Sequence, residues 1–220
     1  MSYKNIDCWF VDSCEDSGIS CEMCQLFLEL NWQMQNSGLP EAKQRPIKLR
    51  PEDCDVTAFQ TLSEFRKNID FNVDNGKNLY LCSKYTGNGK TSWAIKILQS
   101  YFNLRCEGNY EHLLGMFVST PQLLLKLKDF NNPVSSTYKK QLASVDIVVW
   151  DDIAVSGMSN YDYTQLFTYI DGRLLAEKTN IFTSNCSSRE ELEKIIGNKL
   201  ASRIWDTSEI VTLFGKDRRG

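Results

Sequence analysis

The stretch Lys84-Tyr85-Thr86-Gly87-Asn88-Gly89-Lys90-Thr91 follows a short apolar run at 78–82 and precedes a segment with helical periodicity. A strand, a glycine-bearing loop and a helix in this order are the context in which a Walker A motif binds phosphate. Glycines let backbone N–H groups converge on phosphate oxygens, and the start of the helix adds its positive dipole end. The stretch therefore predicts a P-loop, with Lys84 at the position of the motif's first glycine.

The residue types in this loop predict how it binds a nucleoside triphosphate and a metal ion. Lys90 is expected to reach the β- and γ-phosphates, and the hydroxyl of Thr91 is expected to bind Mg²⁺. The predicted ATP-binding residues are Thr86, Gly87, Asn88, Gly89, Lys90, Thr91 and Ser92, with Asp151 further along the chain. The alternative, a chance Gly-x-Gly-Lys-Thr in a surface loop, is weakened by the motifs downstream.

Two adjacent carboxylates, Asp151 and Asp152, end the apolar run at 145–150. Ligands of open α/β sheets bind at the carboxyl ends of the strands, where these side chains are expected to lie. Asp151 is expected to hold Mg²⁺ directly or through water, and Asp152 suits the base that orients an attacking water. The alternative is an aspartate pair that caps a helix after a core strand.

Two further polar features follow, and each has an ordinary structural alternative. A side chain of Thr183-Ser184-Asn185, at the end of a predicted strand, can hold the attacking water near the γ-phosphate, but the tripeptide is also a common strand-to-turn sequence. Arg203, on a predicted helix, can reach a neighbouring subunit's site as an arginine finger that stabilises transition-state charge. It can equally be a surface arginine on an amphipathic helix.

The chain after residue 56 alternates apolar strands with amphipathic helices, which is typical of a parallel sheet with helices on both faces. Periodicity and turn residues predict strands over 78–82, 115–118, 145–150, 180–183 and 210–214. They predict helices from about residues 90 and 120 onward and over 160–176, 189–195 and 199–205. We therefore expect an α/β ATPase domain over 56–220, preceded by a linker rich in proline and charge over 37–55.

Composition narrows the class of protein. Hydrophobic residues make up 42% and charged residues 24% of the chain, which is near the average of globular proteins. No apolar run approaches the ~18 residues of a membrane helix, and no secretory signal is visible, so we expect a cytoplasmic protein without a membrane partner. A net charge of −3 disfavours a high-affinity DNA coat protein, although contact with DNA through one basic surface or within an assembly stays open.

The cysteines are unevenly distributed along the chain. Four of the eight, Cys8, Cys14, Cys21 and Cys24, fall in the first 24 residues. In a reducing compartment such a cluster favours metal over disulfides, and four thiolates can form a tetrahedral Zn²⁺ site. We therefore predict a small cysteine-rich, zinc-binding domain over 1–36. The alternative is a set of buried or redox-inert thiols, because only one Cys-x2-Cys pair is present.

Together these motifs resemble the AAA+ ATPases, specifically the bacterial and phage helicase loaders of the DnaC/DnaI type, over residues 56–220. The resemblance is carried by Gly-Asn-Gly-Lys-Thr at 87–91, Asp-Asp at 151–152, Thr-Ser-Asn at 183–185, Ser-Arg-Ile at 202–204 and the closing stretch 211–219. It implies a P-loop NTPase of the AAA+ type without a helical lid. The compact length favours a phage origin.

The resemblance also implies residue roles and partners. It makes Asp152 the residue for hydrolysis, Asn185 the first sensor, Arg203 a finger acting in trans, and Arg219 a second γ-phosphate sensor, with the adjacent Arg218 as an alternative. The implied function is ATP-dependent loading of a replicative DNA helicase onto single-stranded DNA, by a chain that is a homo-oligomer in the assembly. In such loaders the N-terminal segment contacts the helicase, and in some it binds zinc.

Three rival functions remain open. A related ATPase that assists a transposase has the same core and a different partner. A non-hydrolysing adaptor would bind ATP as a structural ligand; the Asp151-Asp152 pair argues against it and Lys84 argues weakly for it. The third rival is a DNA-binding regulator with a small domain stabilised by a bound metal ion, which the acidic isoelectric point near 5.3 disfavours.

Overall fold

The computed structural model describes residues 24–45, 47, 49, 53–107, 112–128 and 136–215. These residues form a five-stranded sheet in which all neighbouring strands run parallel, in the order β2-β3-β4-β1-β5. The strands are β1 Asn78–Cys82, β2 Gly115–Ser119, β3 Ile147–Asp151, β4 Thr179–Ser184 and β5 Ser208–Thr212. The predicted α/β class with a parallel sheet is confirmed, and the strand ends shift by only one or two residues.

Helices cover both faces of the sheet. They are α1 Gln25–Asn36, α2 Val56–Lys67, α3 Ile69–Asp74, α4 Lys90–Arg105, α5 Thr120–Lys128, α6 Ser136–Ser144, α7 Asn160–Leu175, α8 Arg189–Ile196 and α9 Asn198–Asp206. A helical pattern in the sequence over 22–35 predicted α1, whereas α2, α3 and α6 are additional to the elements predicted from the sequence. In the part of the chain that the structure describes, every helix is too short or too polar to cross a membrane.

The two faces of β3 show why this strand is apolar at every position except its last. Ile147 and Val149 pack in the cluster that contains Leu98 of α4, whereas Val148 and Trp150 pack in the cluster on the opposite face. Successive side chains of a strand point to opposite faces. A strand that is covered on both faces therefore buries every side chain, and its sequence becomes a continuous apolar run.

Helix α1 packs in the hydrophobic core beside the sheet, although it was predicted to belong to a separate N-terminal domain. Leu30 and Met34 are buried in the same cluster as α4. The buried side chain of Gln33 donates to the carbonyl of His112 at 2.9 Å and accepts from the backbone N–H of Leu114 at 3.0 Å. The unit that contains the sheet therefore extends to residues before the expected boundary at 36.

Residues expected to form a linker run along α4. Gln99 Nε2 donates to the carbonyls of Lys43 and Arg45 at 2.7 and 3.1 Å, and Lys96 Nζ donates to the carbonyl of Ile47 at 2.6 Å. Backbone carbonyls that are buried away from water need hydrogen-bond donors as partners. The polar side chains of α4 therefore hold this segment against the core.

A buried arginine joins the amino ends of β3 and β4. Arg173 of α7 is 1% exposed, and burial lowers its pKa to about 9. Its guanidinium donates, over 2.8 to 3.3 Å, to Asn180 Oδ1 and to the carbonyls of Leu142, Val145, Asp146 and Thr179. Because a guanidinium has five N–H donors in a rigid fork, one side chain satisfies all of these acceptors.

Candidate nucleotide-binding site

The loop between β1 and α4 has the backbone conformation that its glycines allow. Gly87 and Gly89 have φ of 71° and 102°, in the left-handed region that glycine adopts without steric cost. A Cβ at Gly89 would meet no atom within 4 Å, so this side of the loop has open space. Among the described residues other than glycine, only Asp152 and Glu177 have positive φ. Lys84 therefore replaces the motif's first glycine without left-handed strain.

A side chain after one strand and a backbone carbonyl after another anchor this loop through Asn88. Asn88 is 3% exposed, and its Nδ2 donates to Ser83 Oγ and, at 3.3 Å, to the carbonyl of Leu213. Ser83 Oγ also accepts from the backbone N–H of Tyr85 at 3.1 Å. The loop is thus fixed to the residues that follow β1 and β5. Neither Ser83 nor Leu213 was predicted from the sequence to support the site.

The ammonium group of Lys90 lies inside the loop. Lys90 begins α4 and is 6% exposed. Its Nζ donates to the carbonyl of Tyr85 at 2.9 Å and to Asn88 Oδ1 at 3.4 Å. Thr86 is exposed in the loop, and Ser92 lies half-buried in the first turn of α4. An ammonium group at a helix N-terminus, beside open space at a glycine, fits an anion such as a triphosphate.

Two hydroxyls converge on one carboxylate at the end of β3. Thr91 Oγ1 donates to Asp151 Oδ1 at 2.8 Å, and Thr183 Oγ1 donates to the same oxygen at 2.7 Å. Burial raises the pKa of the Asp151 carboxyl, and these hydrogen bonds and the charge of Lys90 oppose the rise. A carboxylate beside a hydroxyl supplies the oxygen ligands that Mg²⁺ prefers. The pair Thr91 and Asp151 therefore fits the magnesium ion predicted from the sequence.

The neighbouring carboxylate, Asp152, is exposed and held in an unusual backbone conformation. Its φ is 52°, a region in which residues other than glycine are strained. Its backbone N–H donates to Thr183 Oγ1 at 3.0 Å. Its carboxylate is therefore next to the predicted metal ligand and open to solvent, as a group that orients water must be.

The structure separates the residues of the Thr183-Ser184-Asn185 tripeptide. Thr183 is buried and contacts Asp151, whereas Asn185 is exposed beyond the end of β4. The contact of Thr183 follows from the register of β3 and β4, because the pair Trp150 and Phe182 is followed by Asp151 and Thr183. A single sequence does not reveal register, and the tripeptide was the only signal for this residue.

The other predicted site residues lie apart from the P-loop or outside the described residues. Arg203 on α9 is about half exposed, and its Nη1 lies 3.0 Å from Asp171 Oδ1 of α7. Arg219, Cys8, Cys14 and Cys21 lie outside the described residues. Cys24 immediately precedes α1 as a half-buried free thiol. Within the described ranges, no group of three or more His, Cys, Asp or Glu side chains is placed to hold a metal ion.

Comparisons with known proteins show which solved structures share the fold that carries this site. No protein-family model and no curated protein matches the chain. It resembles the solved DnaC helicase loader with a TM-score of 0.63 and 21% identity, over 82% of this chain and 98% of that one. It resembles DnaI with a TM-score of 0.64 and 19% identity, over 85% and 99%.

A more distant likeness includes a bound nucleotide analogue. AMPPCP-bound DnaA from Aquifex aeolicus matches with a TM-score of 0.58 and 16% identity, over 75% of this chain and 48% of that one. Identities this low show the fold alone. The chain therefore shares the fold of DnaC and DnaI, a parallel sheet covered by helices with a P-loop after β1.

Proposed function

We propose that this protein is a Mg²⁺-dependent ATPase that loads a replicative DNA helicase onto single-stranded DNA during replication initiation. The observation that carries the proposal is the contact between Thr91 and Asp151, which joins the P-loop to the end of β3. A hydroxyl and a carboxylate in this arrangement, beside a buried P-loop lysine, are the parts that a P-loop NTPase uses. The fold shared with the DnaC helicase loader supports the choice of partner.

Each predicted residue has a role in this reaction. Lys90 exchanges the carbonyl of Tyr85 for the β- and γ-phosphate oxygens. Thr91 and Asp151 would hold Mg²⁺, and the ion would offset the negative charge of the same phosphates. Asp152 orients the attacking water and accepts its proton, and Asn185 positions that water as the first sensor. Backbone N–H groups of residues 86–92 bind the remaining phosphate oxygens.

A second copy of the chain completes the site. Arg203 acts in trans on the γ-phosphate of a neighbouring subunit, and Arg219 acts as the second sensor. The ion pair between Arg203 and Asp171 involves a half-exposed guanidinium. Its partner Asp171 is only 19% exposed, so this pair is less screened by water than a pair between two exposed side chains. In a homo-oligomer Arg203 would exchange Asp171 for a neighbouring subunit's phosphate, and the new charged contact would offset the loss of the pair.

The N-terminal segment is proposed to bind the helicase and to hold zinc. The zinc ligands are Cys8, Cys14, Cys21 and Cys24. Because Cys24 immediately precedes α1, and α1 packs in the core through Leu30 and Met34, a zinc site that includes Cys24 is attached to the sheet. Binding of a partner to residues 1–36 can then be transmitted to the ATPase core through α1.

One experiment tests the function directly. The purified full-length chain is assayed for ATP turnover alone, with a replicative helicase of its host, and with helicase and single-stranded DNA. We expect turnover that depends on Mg²⁺ and a helicase that reaches closed-circular single-stranded DNA only when the chain and ATP are present. Lys90→Ala should abolish turnover, whereas Lys67→Ala, which removes an exposed lysine of α2, should not.

The outcomes separate the rival functions. Retained turnover in Lys90→Ala contradicts the P-loop assignment. Tight ATP binding without turnover under every condition favours the non-hydrolysing adaptor. A pull-down from host lysate, with and without ATP, that retains a transposase instead of a helicase favours the transposition ATPase. Metal analysis that finds no zinc in protein purified under reducing conditions removes the zinc site alone.

A further inference from the structure

Thr183 is a fully buried threonine whose hydroxyl joins the two acidic residues of the site. Its Oγ1 donates to Asp151 Oδ1 at 2.7 Å and accepts from the backbone N–H of Asp152 at 3.0 Å. A hydroxyl has one hydrogen and two lone pairs, so both contacts form at the same time. One side chain therefore orients the carboxylate of Asp151 and the backbone of Asp152 together.

The backbone of Thr183 adds a third contact to the same turn. Its carbonyl accepts from the backbone N–H of Ile153 at 3.0 Å. Thr183 thus forms hydrogen bonds with three successive residues, beginning with Asp151 at the end of β3. Because Asp152 has a φ of 52°, its conformation persists only if the surroundings hold it. The contacts of Thr183 on both sides of this residue supply that restraint.

We infer that Thr183 is a positioning residue for ATP hydrolysis: it holds Asp151 in the direction of Thr91 and fixes where the Asp152 side chain leaves the turn. The inference presupposes the proposed ATPase function and deepens it. Thr183 acts through the two carboxylates and does not touch ATP. Thr91 donates to the same oxygen of Asp151, so Thr183 continues to hold the carboxylate when the Thr91 hydroxyl turns to the metal.

The test compares variants that keep or remove the hydroxyl. Thr183→Val preserves the shape and removes the hydroxyl, and Thr183→Ser preserves the hydroxyl and removes a methyl group. Thr179→Val is the matched control, because Thr179 is equally buried at the opposite end of β4 and its hydroxyl donates to the carbonyl of Asn72 instead. Each variant is assayed for ATP turnover, for the Mg²⁺ concentration that half-saturates turnover, and for ATP affinity in EDTA.

Loss of a hydrogen bond to a charged group changes rates by about 10- to 100-fold. We expect turnover of Thr183→Val to fall by at least about tenfold. Its Mg²⁺ requirement should rise, and its ATP affinity in EDTA should be unchanged because the P-loop is intact. Thr183→Ser and Thr179→Val should retain turnover within about threefold of the unaltered chain.

Two results overturn the inference: Thr183→Val with unaltered turnover and Mg²⁺ dependence, or Thr183→Ser as impaired as Thr183→Val. If Thr183→Val does not fold, Thr183→Ala is compared with Thr183→Ser, since these two differ only in the hydroxyl. If the unaltered chain shows no turnover with helicase and DNA, the proposed function fails. The gain in ATP affinity on adding Mg²⁺, measured in the same variants, still decides the role of Thr183.

Discussion

The hydroxyl oxygen of Thr91 lies 2.8 Å from Asp151 Oδ1, although 60 positions of sequence separate the two residues. Thr91 lies in the first turn of α4, and Asp151 is the last residue of β3. The contact therefore joins the helix that begins at the P-loop to the adjoining part of the sheet. Because the two side chains are in contact, substituting either residue should disturb the same proposed metal site.

Replacing Asp151 by asparagine should separate metal binding from phosphate binding. Asparagine keeps the size and one acceptor oxygen but removes the charge. We expect Asp151→Asn to lower ATP turnover by at least about 100-fold, because Mg²⁺ loses its charged ligand. ATP binding in EDTA, measured by fluorescence anisotropy of a labelled analogue, should change by less than about threefold.

Asp146 provides the control for this change. It precedes β3 at the opposite end from Asp151, and its carboxylate contacts Lys178 and Tyr101. Asp146→Asn should leave turnover unchanged. If Asp151→Asn hydrolyses ATP as fast as Asp146→Asn, Asp151 is not the metal ligand.

Restoring the glycine of the P-loop motif should have little effect on nucleotide binding. Lys84 has no positive φ, so a glycine at this position relieves no strain. We expect ATP affinity and turnover of Lys84→Gly to stay within about twofold of the unaltered chain, and its free energy of unfolding to fall by about 0.5–1 kcal/mol. A tenfold gain in ATP affinity, measured by calorimetry, would show that Lys84 constrains the loop.

The parts of the fold that the sequence predicted share one physical property. Burial on both faces favours a continuous apolar run, so β1 and β3, each apolar except at one end residue, could be located to within two residues. The P-loop is readable because its glycines are required by local backbone conformation, as at Gly89 with its φ of 102°. Both signals depend on a few neighbouring residues and need no knowledge of tertiary contacts.

The features that escaped prediction depend on contacts between distant segments. Thr183 supports the site because the register of β3 and β4 places it beside Asp151. Ser83 and Asn88 meet across the P-loop, and Gln33 satisfies backbone groups of residues 112 and 114, which are far from it in sequence. A proline-rich segment read as a linker is held by Gln99. Hydrophobic periodicity and secondary-structure propensities do not identify such tertiary partners.

Helix α1 should prove essential to the stability of the unit that contains the sheet. Leu30 is fully buried, whereas Leu26 on the same helix is 38% exposed. We expect Leu30→Ala to lower the free energy of unfolding by about 3 kcal/mol and Leu26→Ala to lower it by less than about 1 kcal/mol. Urea denaturation followed by circular dichroism measures both. Equal small effects would mean that α1 is a detachable part of an N-terminal domain.

The buried Arg173 should contribute more to stability than any exposed arginine. Arg173→Met fills similar space but leaves several buried carbonyls without a donor, so we expect a loss of about 3 kcal/mol or more in the free energy of unfolding. Arg189→Met is the control, because Arg189 forms exposed ion pairs with Glu193 and Asp206. Its loss should be much smaller than that of Arg173→Met, because solvent screens exposed ion pairs. Similar midpoints in urea for the two variants would contradict the prediction.

The proposed action of Arg203 in trans makes a prediction that a mixture can test. Lys90→Ala keeps the finger and loses the P-loop lysine, whereas Arg203→Ala keeps the P-loop and loses the finger. Each variant alone should be inactive under assembly conditions. In an equal mixture, about a quarter of the interfaces pair an intact P-loop with an intact finger, so turnover should return to about that fraction.

The control mixture pairs Lys90→Ala with the double variant Lys90→Ala, Arg203→Ala, in which no interface is complete, and it should stay inactive. Turnover of the first mixture should rise with total protein concentration, because the active interface forms only between chains. If the mixture is no more active than its components while the unaltered chain is active under the same conditions, Arg203 does not act in trans. Its ion pair with Asp171 would then be its main contact, and the finger would have to come from another arginine.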